Sequence, residues 1–271
     1  MDENYCDEVQ TLIVTMNLDN EVDLLEKMNV RTGFVIGNQT KKDERRYITF
    51  RGYKGVVLSR DETGVGKNRN ATLFNATGDI CILADDDMVF LDEYPEIVKK
   101  TFSTIKDADV LIFNLCNNAY DGERKTKKRK RIHINNYMNY GAARMAFKKS
   151  SICYSGISFN ILFGGGTPHK CGEDSLFLRE CLRQKLKIYA VEESIAAISN
   201  ERESTWFEGY DEKYFFDKGV FLKIAHPLLA KFYALLLVIR HKEYLTAGRN
   251  KISIYNMIRE GIVYVRKGYK N

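Results

Sequence analysis

Between Thr11 and Cys116, five apolar runs rich in β-branched residues alternate with segments of helical spacing, and few folds accommodate that alternation. The runs are Thr11–Thr15, Phe34–Ile36, Val56–Leu58, Ile80–Ala84 and Val110–Cys116. Between them, Glu21–Met28 places Val22, Leu25 and Met28 at helical intervals, Lys67–Ala76 is helix-like and stops at Gly78, and Glu93–Ile105 forms a third helix. Strands that are apolar on both sides need helices over both faces. The pattern therefore predicts an α/β fold with a mostly parallel central sheet flanked by helices. In such sheets ligands bind outside the carboxyl ends of the strands, which directs attention to the residues after Thr15, Ile36 and Ala84.

The second half is less regular. Residues 117–130 form a polar connection, strand-like pieces lie near Ile132 and Met145, and Gly164–Gly166 leads into a helix from Glu173 to about Gln184. After Tyr214 the chain reads as helices. In 271 residues this predicts one large body over residues 1–217, divided near residue 116, with a helical extension over 218–271.

Charge is unevenly spread along the chain. The net +6 comes from 42 Lys and Arg against 36 Asp and Glu. Residues 124–131 hold seven positive charges and no acid, and residues 218–271 hold eleven Lys and Arg against two Glu. What remains is acidic, so the basic pI belongs to two attachments rather than to the body. The longest apolar window, Leu228 to Ile239, is interrupted by Lys231 and is too short for a membrane span. The opening Met-Asp-Glu-Asn has neither the basic start nor the apolar run of a signal peptide, which predicts a cytoplasmic location. The six cysteines form no CxxC pair and read as reduced.

Cys81-Ile82-Leu83-Ala84 runs directly into Asp85-Asp86-Asp87. Three adjacent carboxylates at the end of a buried strand repel one another unless a cation or several donors offset them. If the segment stays extended, Asp85 and Asp87 point the same way and can share Mg²⁺ or Mn²⁺ through hard oxygen ligands. A solvated turn, with Asp92 capping the next helix, is the competing account. Lys67 and Arg69, on the preceding helix, are placed to balance the triplet or to grip a diphosphate. Two glycine motifs are read as turns. Gly64-Val65-Gly66-Lys67 lacks the Ser or Thr that a P-loop needs after its lysine, since Asn68 stands there, and Gly164–Gly166 lacks dinucleotide-binding spacing.

Residues 64–87, from Gly64-Val65-Gly66-Lys67-Asn68-Arg69 through Asp85-Asp86-Asp87, resemble the signature of family 2 inverting glycosyltransferases of GT-A fold and bacterial type. Val14-Thr15-Met16-Asn17, Ile36-Gly37-Asn38-Gln39-Thr40, Gly172-Glu173-Asp174 and the segment Ser204 to Tyr210 follow the family's order, so the resemblance covers about residues 10–220. It implies a nucleotide-sugar-binding catalytic domain over 1–217, with a nucleotide-binding half at about 1–116 and an acceptor half at about 117–217.

The resemblance also implies roles. Thr15, Met16, Asn38, Lys67, Arg69, Asp85 and Asp86 would bind a nucleotide-diphosphate sugar, with a UDP-sugar favoured. Asn38 departs from the family's usual aspartate and leaves the base open. Asp87, with Asp85, would hold Mn²⁺ or Mg²⁺, and Asp174 would be the general base of a hexosyl transfer to a glycan or lipid-linked acceptor. Gly165, Gly166, Glu173 and Trp206 fall on the acceptor side. Glu173 and Asp174 taken alone read as acids stabilising a helix N-terminus, and His169 and His226 read as structural. An anionic membrane surface, at the inner face of the plasma membrane, is the favoured partner of the basic attachments; a homo-oligomer is left open. Two rival readings stand beside this one: a nucleotidyltransferase, and a nucleic-acid-binding module using the basic loop and tail, the latter weakened by the acidic body.

Overall fold

The computed structural model describes residues 8–116, 125–170, 172–199, 209–241, 245 and 249–266. It divides into two compact units, residues 1–162 with 173–203 and residues 163–172 with 204–271.

The first unit is built on a ten-stranded mixed sheet. Its strands are β1 (Val9–Met16), β2 (Gly33–Gln39), β3 (Glu44–Phe50), β4 (Tyr53–Arg60), β5 (Ile80–Asp85), β6 (Met88–Phe90), β7 (Val110–Leu115), β8 (Lys130–Arg131), β9 (Met145–Lys148) and β10 (Ile188–Ile198). The spatial order is β3-β4-β2-β1-β5-β9-β7-β10-β6, with β8 pairing β10. The expected parallel strands are present: β4, β2, β1 and β5 run side by side in one direction, and β7 runs parallel to β10. Antiparallel β9 stands between β5 and β7 and joins the two sets. Strand β3 folds back on β4 through Arg51 and Gly52, both at positive φ.

Both faces are covered, as the apolar strands require. On one, α1 (Glu21–Lys27) with its C-cap Met28 and α3 (Tyr94–Thr104) seat Leu25, Met28, Tyr94, Val98 and Phe102 against Ile13, Phe34, Ile36 and Ile82. On the other, α2 (Val65–Phe74) and α5 (Glu173–Arg183) seat Ala71, Leu73, Phe177 and Leu178 against Leu12, Val35, Leu83 and Ile112. A short helix, α4 (Lys149–Tyr154), follows β9. The described cysteines Cys81, Cys116, Cys153 and Cys181 are free thiols.

Helices α6 (Glu212–Ala225), α7 (Ala230–Arg240) and α8 (Lys251–Arg266) form the body of the second unit, and α6 spans the expected boundary at residue 217. Gly219 on α6 and Gly261 on α8 let the two backbones meet: a Cβ at Gly219 would lie 1.9 Å from the carbonyl oxygen of Ile258.

Candidate active site

The carboxyl ends of β1 and β5 open on a cavity of about 290 Å³ lined by Thr15, Met16, Asn17, Asp19, Asp23, Lys27, Asp86, Asp87 and Ser199, among others. Thr15 Oγ1 donates to Asp86 Oδ2 at 2.7 Å, so the last residues of one strand orient the carboxylate that follows the other. Strand β5 ends at Asp85, and Asp86 and Asp87 form a turn into β6. The alternation that would aim Asp85 and Asp87 to one side therefore does not run through the triplet. Asp92 caps no helix; it accepts from Asn29 Nδ2 and from the Arg31 guanidinium, each at 2.8 Å.

Asp85 faces the other way, toward a buried arginine. Arg69 is only 4% exposed, and it carries three carboxylates. One of its terminal nitrogens donates to Asp85 Oδ1 at 3.0 Å, and the other donates to Glu173 Oε1 at 2.9 Å and to Asp174 Oδ1. The guanidinium lies 5.5 Å from the ring centre of Phe159, which stacks on Phe177 at 4.2 Å. Burial opposes its charge, but Asp174, Asp85 and Glu173 together hold the Arg69 pKa above the ordinary arginine value, so the cation is permanent.

One cation shared by three carboxylates leaves an excess of negative charge, and Glu173 absorbs it. Burial first and the neighbouring Asp174 second push its carboxyl up to about 8, against the opposing pull of Arg69. Asp174 stands at the first turn of α5. Its Oδ2 accepts the backbone N–H of Ala142 at 2.9 Å, and its side chain keeps a quarter of its surface open. Glu173 and Asp174 at a helix start are thus more than dipole partners: they are tied through Arg69 to the end of β5.

A raised carboxyl gives a stability signature. The folded state holds the Glu173 proton more tightly than the unfolded chain, so this contribution is complete below about 4.5 and is lost as pH rises toward about 8. Glu173→Gln is expected to remove that loss. Its melting temperature should gain on the unsubstituted chain as pH is raised through this window, as read by calorimetry. A difference that stays flat with pH would place the proton elsewhere.

The sequence reading missed the groups that hold this arrangement. Asn68 Nδ2 donates to the carbonyls of Thr15 at 3.1 Å and Gly37 at 2.9 Å, clamping α2 onto the ends of β1 and β2. Gly37 makes room for it: a Cβ there would lie 2.1 Å from Asn68 Oδ1. Asn70 exchanges two hydrogen bonds with the backbone of Phe159, at 2.9 and 2.7 Å. Asn38 is buried and bonded within the fold, its Oδ1 accepting from Leu18 N–H at 3.1 Å and its Nδ2 donating to Ser59 Oγ at 3.3 Å. Lys67 lies half-buried on α2. Trp206 falls outside the described residues.

The loop at 163–172 belongs to the second unit. Gly164 and Gly166 take positive φ, and Gly164 N–H donates to the carbonyl of His169 at 2.8 Å, so these are turn glycines in a closed loop; Gly165 lies between them. His169 Nδ1 bonds Asp217 Oδ1 at 2.8 Å, and Lys213 Nζ donates to both Asp217 oxygens at 3.1 and 2.9 Å. Burial pushes the Asp217 carboxyl up, but these two partners outweigh it and hold it below the usual carboxylate value. His226 stacks on Tyr233 at 4.2 Å. Both histidines serve packing within this unit.

The cavity gathers Asp19, Asp23, Asp86 and Asp87, with Lys27 among them. Hard carboxylate oxygens of this kind suit Mg²⁺ or Mn²⁺, which keep water and substrate phosphates in their shell. Among the described residues no group of three or more acidic, His or Cys side chains is close enough to cage a metal alone. An ion held here would therefore need ligands from a bound phosphate and from water.

Residues 32–163 match the sequence model of the family described as glycosyl transferase family 2. Among solved structures, the fold is similar to residues 1–349 of TarS from S. aureus in complex with UDP-GlcNAc, at 14% identity, 94% coverage of this chain, 71% of that chain and a TM-score of 0.60. The same TarS fragment in complex with UDP aligns at 13% identity over 97% of this chain and 72% of that one, with a TM-score of 0.55. The mannosyltransferase PcManGT from Pyrobaculum calidifontis, in complex with GDP-Man and Mn²⁺, aligns at 11% identity over 99% of this chain and 77% of that one, with a TM-score of 0.51. At these identities the likeness carries the GT-A fold. No curated protein sequence matches the chain.

Proposed function

We propose, from the match of residues 32–163 to the model of glycosyl transferase family 2, that this chain moves a hexosyl group from a nucleoside-diphosphate sugar to a hydroxyl of a glycan or lipid-linked acceptor, with inversion at the anomeric carbon. One observation supports this most. A single buried guanidinium joins Asp174, a quarter-open carboxylate at the start of α5, to Asp85 at the end of β5, next to the pocket at Asp86 and Asp87. A base and a donor pocket tied to one rigid group match what a single in-line displacement needs.

Asp174 acts as the general base. Its carboxylate, held by Arg69 and the Ala142 N–H, would accept the proton of the acceptor hydroxyl. No side chain forms a bond to the sugar, so one displacement inverts the configuration. Asp86, steadied by Thr15, faces the nucleoside, and Met16 borders the same pocket. Lys67 serves the diphosphate. Arg69 holds Asp85, Glu173 and Asp174, and the donor site is set around it. Asp87 is the residue assigned to hold Mn²⁺ or Mg²⁺, with Asp86 beside it and Asp85 engaged by Arg69. Bound there, the ion would offset negative charge on the departing diphosphate. The PcManGT structure with GDP-Man and Mn²⁺ and the TarS structure with UDP-GlcNAc support donors of this class.

Thermal shift with UDP, GDP, ADP and CDP, each with and without MnCl₂, tests the donor half. At a hundred times its Kd, the preferred nucleotide should add about 2.7 kcal/mol of stability, and Asp87→Asn should remove the part that depends on Mn²⁺. If no nucleotide gives a metal-dependent shift, the donor reading fails.

A further inference from the structure

Helix α7 carries two apolar faces, and one of them is uncovered. Ala230, Ala234 and Val238 are buried within its unit, whereas Leu228 is 97% exposed and Leu229, Phe232, Leu235 and Ile239 are each about half exposed. At about 100° per residue, Phe232, Leu235 and Ile239 fall within an arc of roughly 60°, and Leu228 lies in the turn just before the helix, ahead of its N-cap Leu229. Lys231 lies about 40° beyond one edge of that arc and Arg240 about 80° beyond the other, and both are exposed. Scattered exposed leucines need no explanation. A continuous apolar row with a cation on either side does, because a helix on a water-soluble body turns its polar side outward.

A second copy of this chain or a lipid surface would bury such a row, and the charges separate the two. Helix α7 contains no Asp or Glu, so a second copy meeting the same face would oppose Lys231 and Arg240 with like charges. The surrounding residues 218–271 add to the excess, with eleven Lys and Arg against two Glu. An anionic bilayer answers both the row and its margins. No helix among the described residues is long and apolar enough to cross a membrane, so α7 would lie along the surface.

We propose that α7 is a surface anchor for an anionic bilayer, with Leu228, Phe232, Leu235 and Ile239 at the boundary between headgroups and acyl chains and Lys231 and Arg240 against lipid phosphates. The inference rests on α7 itself and stands whether or not sugar transfer is confirmed.

Co-sedimentation of the full chain with vesicles of phosphatidylcholine mixed with phosphatidylglycerol tests it, with vesicles of phosphatidylcholine alone as the comparison. The chain should sediment with the mixed vesicles and be released by salt. Lys231→Gln with Arg240→Gln should weaken partitioning about fivefold for each charge removed. Phe232→Glu with Leu235→Glu should weaken it more than tenfold. All four positions are exposed, and an unchanged circular dichroism melt shows that each variant folds. Failure of the unsubstituted chain to sediment, or undiminished sedimentation of the Phe232→Glu, Leu235→Glu chain, overturns the proposal. Equal binding to phosphatidylcholine alone overturns its anionic half. A concentration-dependent dimer that this variant dissolves, without vesicle binding, assigns the face to a second copy instead.

Discussion

Asp174→Asn is expected to lower sugar transfer by roughly 10²–10⁴-fold, the usual contribution of a positioned general base, while the melting shift given by nucleoside diphosphate and Mn²⁺ survives. The substitution is chosen for what it leaves in place. Asparagine is isosteric, and its carbonyl oxygen can still accept either from the Ala142 N–H or from Arg69, which contact the two oxygens of the present carboxylate. What disappears is the negative charge that takes up a proton. Removing one of three acids around a single guanidinium also relieves repulsion with Glu173, so the variant should fold. Transfer within a few-fold of the unsubstituted rate would remove Asp174 from the reaction. Loss of the nucleotide shift together with transfer would show that the residue supports the donor site rather than acting as base.

Arg69→Met is expected to destabilise the first unit strongly. Breaking a buried ion pair by removing one partner typically costs about 3–5 kcal/mol, because the other charge is left without compensation. Here three carboxylates lose their cation, but they do not all suffer equally. Asp85 and Asp174 are partly open to water, and Glu173 can keep its proton. These reliefs place the expected cost near the lower end, about 3 kcal/mol, a melting-point loss of roughly 6–12 °C for a body of this size. Arg69→Lys should recover only part of it: an ammonium keeps the charge, but it cannot reach Asp85 on one side and Glu173 with Asp174 on the other through a planar fork. A melting point for Arg69→Met within 2 °C of the unsubstituted chain would mean that water already compensates these acids.

Much of the first unit was legible because its strands are buried on both faces and therefore read as unbroken apolar runs. The expected helices at 21–28, 67–76, 93–105 and 173–184 appear at 21–27, 65–74, 94–104 and 173–183. The strands that escaped notice had other sources of stability. Strand β3, Glu-Arg-Arg-Tyr-Ile-Thr-Phe, is a largely exposed edge defined by its turn at Arg51-Gly52 rather than by apolar residues. Strand β10 carries Glu192, Glu193 and Ser194 mid-run, where its register with β7 slips. The acidic triplet marked the site from sequence, but its internal geometry was not readable there: alternation applies to an extended chain, and Asp86-Asp87 is a turn. The role of Arg69 as the hub of three acids was equally hidden. It depends on bringing residues 85, 173 and 174 to one point, and Asn68, read only as a defect in a P-loop, turned out to fix the helix that places Arg69 there.

The most direct test of sugar transfer is phosphorus NMR of the nucleotide products formed from UDP- and GDP-sugars with Mn²⁺ and a glycan acceptor, run with the unsubstituted chain and with Asp174→Asn. Glycosyl transfer predicts acceptor-dependent release of a nucleoside diphosphate by the first and its loss in the second. Release of pyrophosphate would contradict the account and identify a nucleotidyl transfer, and equal nucleoside diphosphate release by both chains would contradict the assignment of the base.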